Sequence, residues 1–215
     1  AGEGTAMERD YDCSSTVHAS DLDDAAKLGR NAGERAVRRL NPRKVSTTSV
    51  PIVYDRRIAG GLVGHLSGAI NGAAIARGTS FLKDRMGTAV FAKGIAIVDD
   101  PHRKRGLRSK PFDGEGLANR RLNVIENGVL TTWFLDLRSA RQLKLRSTGH
   151  ASRGVGGPPG ASPSNLYLAA GSKTPAELMA DIKQGFFVTE LMGSGVNGVT
   201  GDYSRGATGF WIENG

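Results

Sequence analysis

The sequence contains a single cysteine, Cys13, among 215 residues. One cysteine cannot form an intramolecular disulfide, and a chain without a cysteine cluster has no thiolate zinc site of the structural kind. Prolines are also few, 8 against 30 glycines, and the glycines follow no three-residue period, which excludes a collagen-like chain. The near absence of cysteine favours a reducing compartment, so we expect a cytoplasmic protein.

Long hydrophobic runs are missing as well. No apolar stretch approaches the roughly 20 residues that span a bilayer, and residues 1–10 lack the basic and then apolar pattern of a secretory signal, so we expect no membrane association. The sequence shows no initiator methionine, and it stops on the strand-to-turn pattern Glu213-Asn214-Gly215. We therefore expect it to be a piece of a longer protein.

Basic residues are in excess, with 29 Lys and Arg against 21 Asp and Glu and a net charge of +8. Such a charge attracts acidic partners, including nucleic acids. The cations are spread over residues 35–44, 103–110 and 138–146, and no aromatic residues are interleaved with the densest run to stack on bases. We expect weak, non-specific DNA binding with a Kd of about 10⁻⁴ to 10⁻⁶ M or weaker, and no specific nucleic-acid partner.

The N-terminal part of the chain predicts an extended segment followed by a helix. Residues 4–19 alternate loosely, and Asp21 then has the position of an N-cap before apolar residues at helical spacing. Asn41-Pro42 ends that pattern. We assign residues 1–44 to the end of an N-terminal domain and residues 45–215 to a C-terminal domain.

The segment 58–76 is almost uncharged and rich in glycine and alanine. Gly64, Gly68 and Gly72 are four residues apart, so on a helix they share one face. Each glycine costs about 1 kcal/mol of helix propensity relative to alanine. The pattern therefore predicts a buried helix whose tight packing compensates that cost.

From residue 89 onward, strand and turn signals dominate. The predicted strands are 90–91, 95–98, 124–125, 129–135, 167–169 and 186–188, with Asn127-Gly128 as a hairpin turn, short helices at 139–145 and from Pro175, a loop at 149–164 and turns at 199–209. Strands outnumber helices and do not alternate regularly with them. We predict an α+β fold, with a β-rich, mostly antiparallel C-terminal domain around the glycine-rich buried helix.

Two motifs suggest chemistry without the context it needs. Gly193-Ser-Gly-Val-Asn-Gly198 has the letters of a dinucleotide fingerprint, but no helix is predicted after it, so we assign no nucleotide cofactor. The histidines are His18, His65, His102 and His150, and they include no His-x-x-x-His pair. The residues alone therefore predict no preassembled zinc site.

Seven longer segments carry a resemblance to a known family. In order along nearly the whole chain they are RAVRRLNPRK (35–44), GTSFLKD (78–84), VDDPH (98–102), PFDGEG (111–116), TGHASR (148–153), NLYL (165–168) and GDYSRG (201–206). Together they resemble the TldD/PmbA family, and within it the PmbA branch, also called TldE, whose members carry the name modulator of DNA gyrase. The resemblance covers most of the C-terminal half of a family protein.

This resemblance implies a cytoplasmic, zinc-dependent peptidase built from two related subunits. In the TldD branch, one helix carries His-Glu and, after three further residues, a second His, which hold zinc and supply the general base. The matching positions here are His65, Leu66 and Ile70, so the base and one ligand are missing. The resemblance therefore implies no metal, no cofactor and no catalytic residue in this chain, with zinc in a TldD-like partner.

We expect a non-catalytic subunit of a heteromeric metallopeptidase that degrades or processes unfolded peptides beside a TldD-like catalytic subunit. Candidate contacts with the peptide or the partner are His150, Arg153, Asn165, Asp202, Tyr203 and Arg205. The alternative is a regulatory binding protein that modulates DNA gyrase without peptidase activity.

Overall fold

A computed structural model describes residues 1–215, with Thr5 described by its backbone only. The chain divides into two compact units, Ala1–Pro51 and Ile52–Gly215. In order, its elements are the 3₁₀ turns Gly4–Ala6 and Ala19–Asp21, α1 (Ala25–Arg38), β1 (Ile52–Tyr54), α2 (Arg56–Ala69), α3 (Gly72–Ala76), β2 (Ile97–Asp99), β3 (Leu122–Glu126), β4 (Val129–Leu130), α4 (Leu137–Leu143), β5 (Ala151–Ser152), β6 (Gly160–Ala161), β7 (Leu166–Leu168), α5 (Pro175–Met179), β8 (Gln184–Val196) and β9 (Tyr203–Glu213).

In the first unit, α1 begins three residues later than predicted. The carboxylate of Asp24, not of Asp21, accepts the capping hydrogen bond, from the Lys27 amide at 2.8 Å. Asp21 closes a 3₁₀ turn whose C-cap, Leu22, returns to extended backbone. The predicted N-cap was therefore wrong because this turn interrupts the chain before the α-helical ladder starts at Asp24.

Ion pairs join the extended segment of the first unit to the end of α1. Arg35 lies 3.2 Å from the carboxylate of Asp12, and Arg39 lies 3.6 Å from that of Glu8 and 3.5 Å from that of Asp10. The hydrogen bond from Asn31, helped by Arg35, lowers the pKa of Asp12. Part of the basic cluster at the helix end is thus paired with carboxylates within its own unit.

The second unit is an α+β structure, as predicted. Its described strands form sheets of order β1-β8-β9, β4-β3-β2-β7 and β5-β6. Among these strands the pairings are antiparallel except β1 with β8, where Ile52 stands opposite Phe186 in parallel register. The core lies between the four-stranded sheet and one face of α2, with Ile70, Val124 and Phe134 fully buried.

The glycine-rich segment forms two helices, and it is buried only in part. Asn71 ends the first helix and caps the second: its amide oxygen accepts a hydrogen bond from the Ala73 amide at 3.0 Å, and its amide nitrogen donates to the Ala161 carbonyl at 2.7 Å. Gly72 is buried, but Gly64 and Gly68 are exposed. The prediction of one continuous helix was wrong because the Asn71 side chain caps a second helix and so interrupts the first, while one face of α2 is buried in the core as predicted.

The hairpin turn at Asn127-Gly128 and the start of a helix at Pro175 were predicted correctly, because their causes are local. Asn127 and Gly128 both have positive φ, 50° and 83°, in the hairpin turn between β3 and β4. Thr174 and Glu177 form a capping box at α5, and the hydrogen bonds that the Thr174 amide and hydroxyl donate lower the pKa of the Glu177 carboxyl.

Three predictions of irregular or extended structure need correction. Residues 90–91 are not a strand, the loop 149–164 contains the β5–β6 pair, and the turns expected at 199–209 give way to β9 from Tyr203 onward. β9 contains Gly206 and Gly209, and at the second of them its backbone passes close to β8: a Cβ added at Gly209 would meet the Phe187 carbonyl. Among the described helices, none is both long enough and apolar enough to cross a membrane.

Candidate functional site

The candidate site is a groove in the second unit with a volume of about 620 Å³. It lies between α2, the segment 79–91 and the distal part of the β8–β9 hairpin. The apolar side chains that line it include Leu62, Leu66, Phe81, Leu82, Val90 and Phe91. A cleft of this size, mostly apolar with a few polar groups, is typical of binding sites for small or extended ligands.

α2 brings His65 to the groove. Asp55 is the N-cap of this helix: its carboxylate accepts a hydrogen bond from the Arg57 amide at 2.8 Å. Leu66 packs into the core, so its neighbour His65 turns toward solvent. The imidazole meets the ring of Tyr203 edge to face, with centroids 5.8 Å apart and planes at 70°.

Tyr203 meets His65 in the groove, and further polar side chains lie near Tyr203. Tyr203 and Arg205 are two residues apart on β9, and both line the groove. Arg205 donates from Nε to the Met192 carbonyl at 3.1 Å. Burial and a hydrogen bond with Tyr203 raise the pKa of Tyr54 on β1, although the nearby Arg205 acts in the opposite direction. At neutral pH the Tyr54 phenol therefore keeps its proton.

Glycines leave backbone accessible along the groove. Nothing lies within 4 Å of a Cβ built at Gly64 or Gly68 on α2. Gly198 and Gly201 line the opposite side, where the Gly198 carbonyl accepts a hydrogen bond from the Phe81 amide at 3.0 Å. This bond fixes the segment 79–91 against the end of the β8–β9 hairpin.

The groove residues do not fit a zinc ion. Leu66 is 6% exposed and Ile70 is 0% exposed, and both side chains belong to the core. His65 is the one imidazole among the residues that line the groove, and no carboxylate lines it. Across the described part of the chain, no three His, Cys, Asp or Glu side chains are grouped so that they could hold a metal.

The protein is expected to bind well under one equivalent of zinc per chain after dialysis. A single imidazole gives one of the three protein ligands that a catalytic zinc site uses. Elemental analysis of the wild type and of His65→Ala provides the check, and both should give the same low value. A ratio near one that is lost in His65→Ala would contradict the prediction.

His150 lies in the interior, which corrects its assignment to a contact surface. Its Nε2 is 3.1 Å from the Asp99 carboxylate, and its Nδ1 is 2.9 Å from the Thr148 hydroxyl. This hydroxyl–imidazole–carboxylate chain resembles a nucleophile relay, yet His150 is 2% exposed and Asp99 0%. The Thr148 hydroxyl also accepts a hydrogen bond from the Leu135 amide at 2.8 Å. The cluster is therefore a structural network.

The other predicted contact residues are distributed over the second unit. Asn165 holds the loop 100–109, since its amide nitrogen donates to the Asp100 carbonyl at 2.7 Å and its amide oxygen accepts from the Arg108 amide at 3.0 Å. Arg153 is exposed in the loop after β5, and Asp202 accepts from the Thr200 hydroxyl at 2.6 Å in the β8–β9 turn.

The structure thus brings Tyr203 and Arg205 to His65, and it adds Tyr54 and Phe91, which the sequence did not single out. Phe91 lies in an irregular segment that was predicted to be a strand. Tyr54 reaches the site through the parallel pairing of β1 with β8. Neither residue has a local sequence signal, because both arrive by contacts between distant parts of the chain.

Comparison with known proteins shows what the chain is similar to. The family model of the PmbA/TldA metallopeptidase C-terminal domain matches residues 47–215. A protein of Escherichia coli O157:H7 named metalloprotease PmbA is 42% identical over 215 residues, which are 100% of this chain and 46% of that protein. This chain therefore spans a little under half the length of that relative.

Solved structures show the same arrangement of elements. A Bacteroides thetaiotaomicron protein named as a candidate modulator of DNA gyrase has a TM-score of 0.83 at 29% identity, over 93% of this chain and 43% of that chain. TldE from Thermococcus kodakarensis has a TM-score of 0.72 at 24% identity, over 90% of this chain and 45% of that chain. At 24% identity, the similarity to TldE shows a shared fold.

Proposed function

The chain belongs to the PmbA/TldD family of metallopeptidases, and from that membership we propose that it is the non-catalytic, TldE-type part of a heteromeric enzyme. In this proposal it holds unfolded peptide beside the zinc site of a TldD-like partner subunit. The observation that carries the proposal is the groove at His65, which keeps the shape of a binding site but has Leu66 and Ile70 in the core where a base and a ligand are needed.

The groove offers an unfolded peptide the kind of surface that recognises main chain. Glycines at Gly64 and Gly68 leave backbone within reach, and glycine allows one backbone to approach another closely. Apolar side chains opposite them remove apolar surface of the peptide from water. Recognition of this kind depends little on sequence, which suits a subunit that presents many peptides.

A reconstituted activity assay tests the proposal. We expect the protein alone to leave an unfolded peptide intact, and a mixture with a TldD-like partner to cleave it in a zinc-dependent way. The protein variant Gly68→Val, which fills the groove, should lower cleavage by the mixture at least about tenfold, equivalent to about 1.4 kcal/mol of lost binding.

The matched control is Gly60→Val, which adds the same side chain at an exposed position of the same helix outside the groove. It should leave cleavage close to that of the wild type. Cleavage by the protein alone, or full activity of the partner without it, would contradict the subunit role. A change in supercoiling by purified gyrase without the partner would instead favour the regulatory function, which the name of the Bacteroides structural neighbour suggests.

A further inference from the structure

One end of the groove is positively charged and lacks a counter-ion. Arg205 is half-buried there and uses Nε for the Met192 carbonyl, while no described carboxylate forms an ion pair with its guanidinium. Asp202, which directly precedes β9, accepts a hydrogen bond from the Thr200 hydroxyl in the turn. A partly buried cation without a partner is stabilised by an anionic ligand.

Other hydrogen-bonding side chains lie near this guanidinium. Tyr203 lines the groove together with Arg205, and Arg205 is close enough to the Tyr54 phenol to oppose the rise of its pKa. His65 contacts the ring of Tyr203 from α2. A guanidinium with phenolic hydroxyls and an imidazole beside it matches the oxygens of a carboxylate, which accepts several hydrogen bonds at once.

The rest of the groove is suited to an apolar residue. Leu62, Leu82, Phe81 and Phe91 also line it, and burying an aliphatic side chain among such residues is favourable because it removes apolar surface from water. The volume of about 620 Å³ lies within the range of sites that enclose drug-sized ligands, so the end of a short peptide has room.

We propose that this groove recognises the carboxyl terminus of a peptide that ends in an apolar residue, with Arg205 binding the terminal carboxylate. The inference rests on the proposed function, since it specifies which part of an unfolded peptide the groove takes. Charge complementarity decides the occupant: the lining residues include the guanidinium of Arg205 and no carboxylate, so an internal peptide segment leaves the cation unpaired. Arg205 acts here in binding, and no chemical step is assigned to it.

Calorimetric titration of the full chain with matched peptides tests this inference. The probes are an acetylated alanine-rich hexapeptide ending in leucine with a free carboxylate, the same peptide as the carboxamide, and the carboxamide with a glutamate before the leucine. We expect the free acid to bind about tenfold or more tightly than either amide, as for a charge-assisted hydrogen bond.

In Arg205→Gln the preference for the free acid should fall to within about twofold, and Arg205→Lys should restore part of it. Arg153→Gln, at an exposed arginine of a loop that does not line the groove, should keep the full preference. Circular dichroism verifies that each variant is folded, and the comparison of acid with amide in the wild type needs no variant.

Equal binding of acid and amide by the wild type would overturn the inference and leave the peptide-holding function intact. Equal binding of the free acid and the glutamate amide would also overturn it, because a side-chain carboxylate would then be the recognised group. If no peptide binds either to the protein or to its mixture with a TldD-like partner, the proposed function fails as well.

Discussion

Asp99→Ala is expected to lower the free energy of unfolding by about 3–5 kcal/mol, because it leaves several buried hydrogen-bonding groups without their partner at about 1–3 kcal/mol each. The Asp99 carboxylate is fully buried. It accepts hydrogen bonds from the Ser164 amide at 2.8 Å and the Ser164 hydroxyl at 2.6 Å, and it lies 3.1 Å from Nε2 of His150. Alanine leaves these groups buried without an acceptor.

The neighbouring residue provides the matched control for this experiment. The half-buried Asp100 accepts one hydrogen bond, from the His102 amide at 2.9 Å, so Asp100→Ala should cost about 1 kcal/mol. Urea unfolding followed by circular dichroism measures both variants. If Asp99→Ala is unfolded without urea, the milder Asp99→Asn gives the lower limit. Equal losses of unfolding free energy at the two positions would show that the buried network contributes no more to stability than the single hydrogen bond of Asp100.

Gly72→Ala is expected to destabilise the protein by about 1–3 kcal/mol, whereas Gly68→Ala should stabilise it by about 0.5–1 kcal/mol. A Cβ at Gly72 would lie 2.7 Å from Leu135 Cδ2 and 2.8 Å from the Phe134 carbonyl, and it would also meet the Ser139 hydroxyl. At Gly68 nothing lies within 4 Å, so alanine there gains helix propensity without a clash.

The opposite signs make this pair informative, because both changes add one methyl group to a glycine of the same sequence segment. Thermal and urea unfolding of the two variants measure the difference. The methyl group at Gly68 also enters the groove, so the more stable variant should bind peptide less well. Destabilisation of similar size at both positions would indicate that α2 is covered along its exposed face.

How much of this structure the sequence could predict depends on how local each cause is. The turn at Asn127-Gly128 and the start of α5 at Pro175, which Thr174 and Glu177 cap, follow from contacts within four residues, and they were predicted correctly. β9 was missed because glycine is ambiguous: its presence signals a turn in sequence, but here it marks close approach to a partner strand.

The difference between local and long-range causes also applies to the candidate site. His65 was identified through the resemblance to a family, and Tyr203 and Arg205 through a segment of it. The position of His150 in the core could not be read from its sequence neighbours, because its partner Asp99 belongs to a different strand. Phe91 reaches the groove, and Tyr54 reaches its residues Tyr203 and Arg205, by long-range packing, which periodicity does not encode.

The parallel pairing of β1 with β8 has a consequence for the order of folding. Ile52 and Phe186 face each other although more than half of the chain lies between them, and closing so long a loop is entropically costly and slow. α2, which carries His65, directly follows β1, whereas Tyr203 and Arg205 follow β8 on its hairpin partner. The two walls of the groove therefore come together only when this late pairing forms, so a newly made chain gains its binding groove at the end of folding.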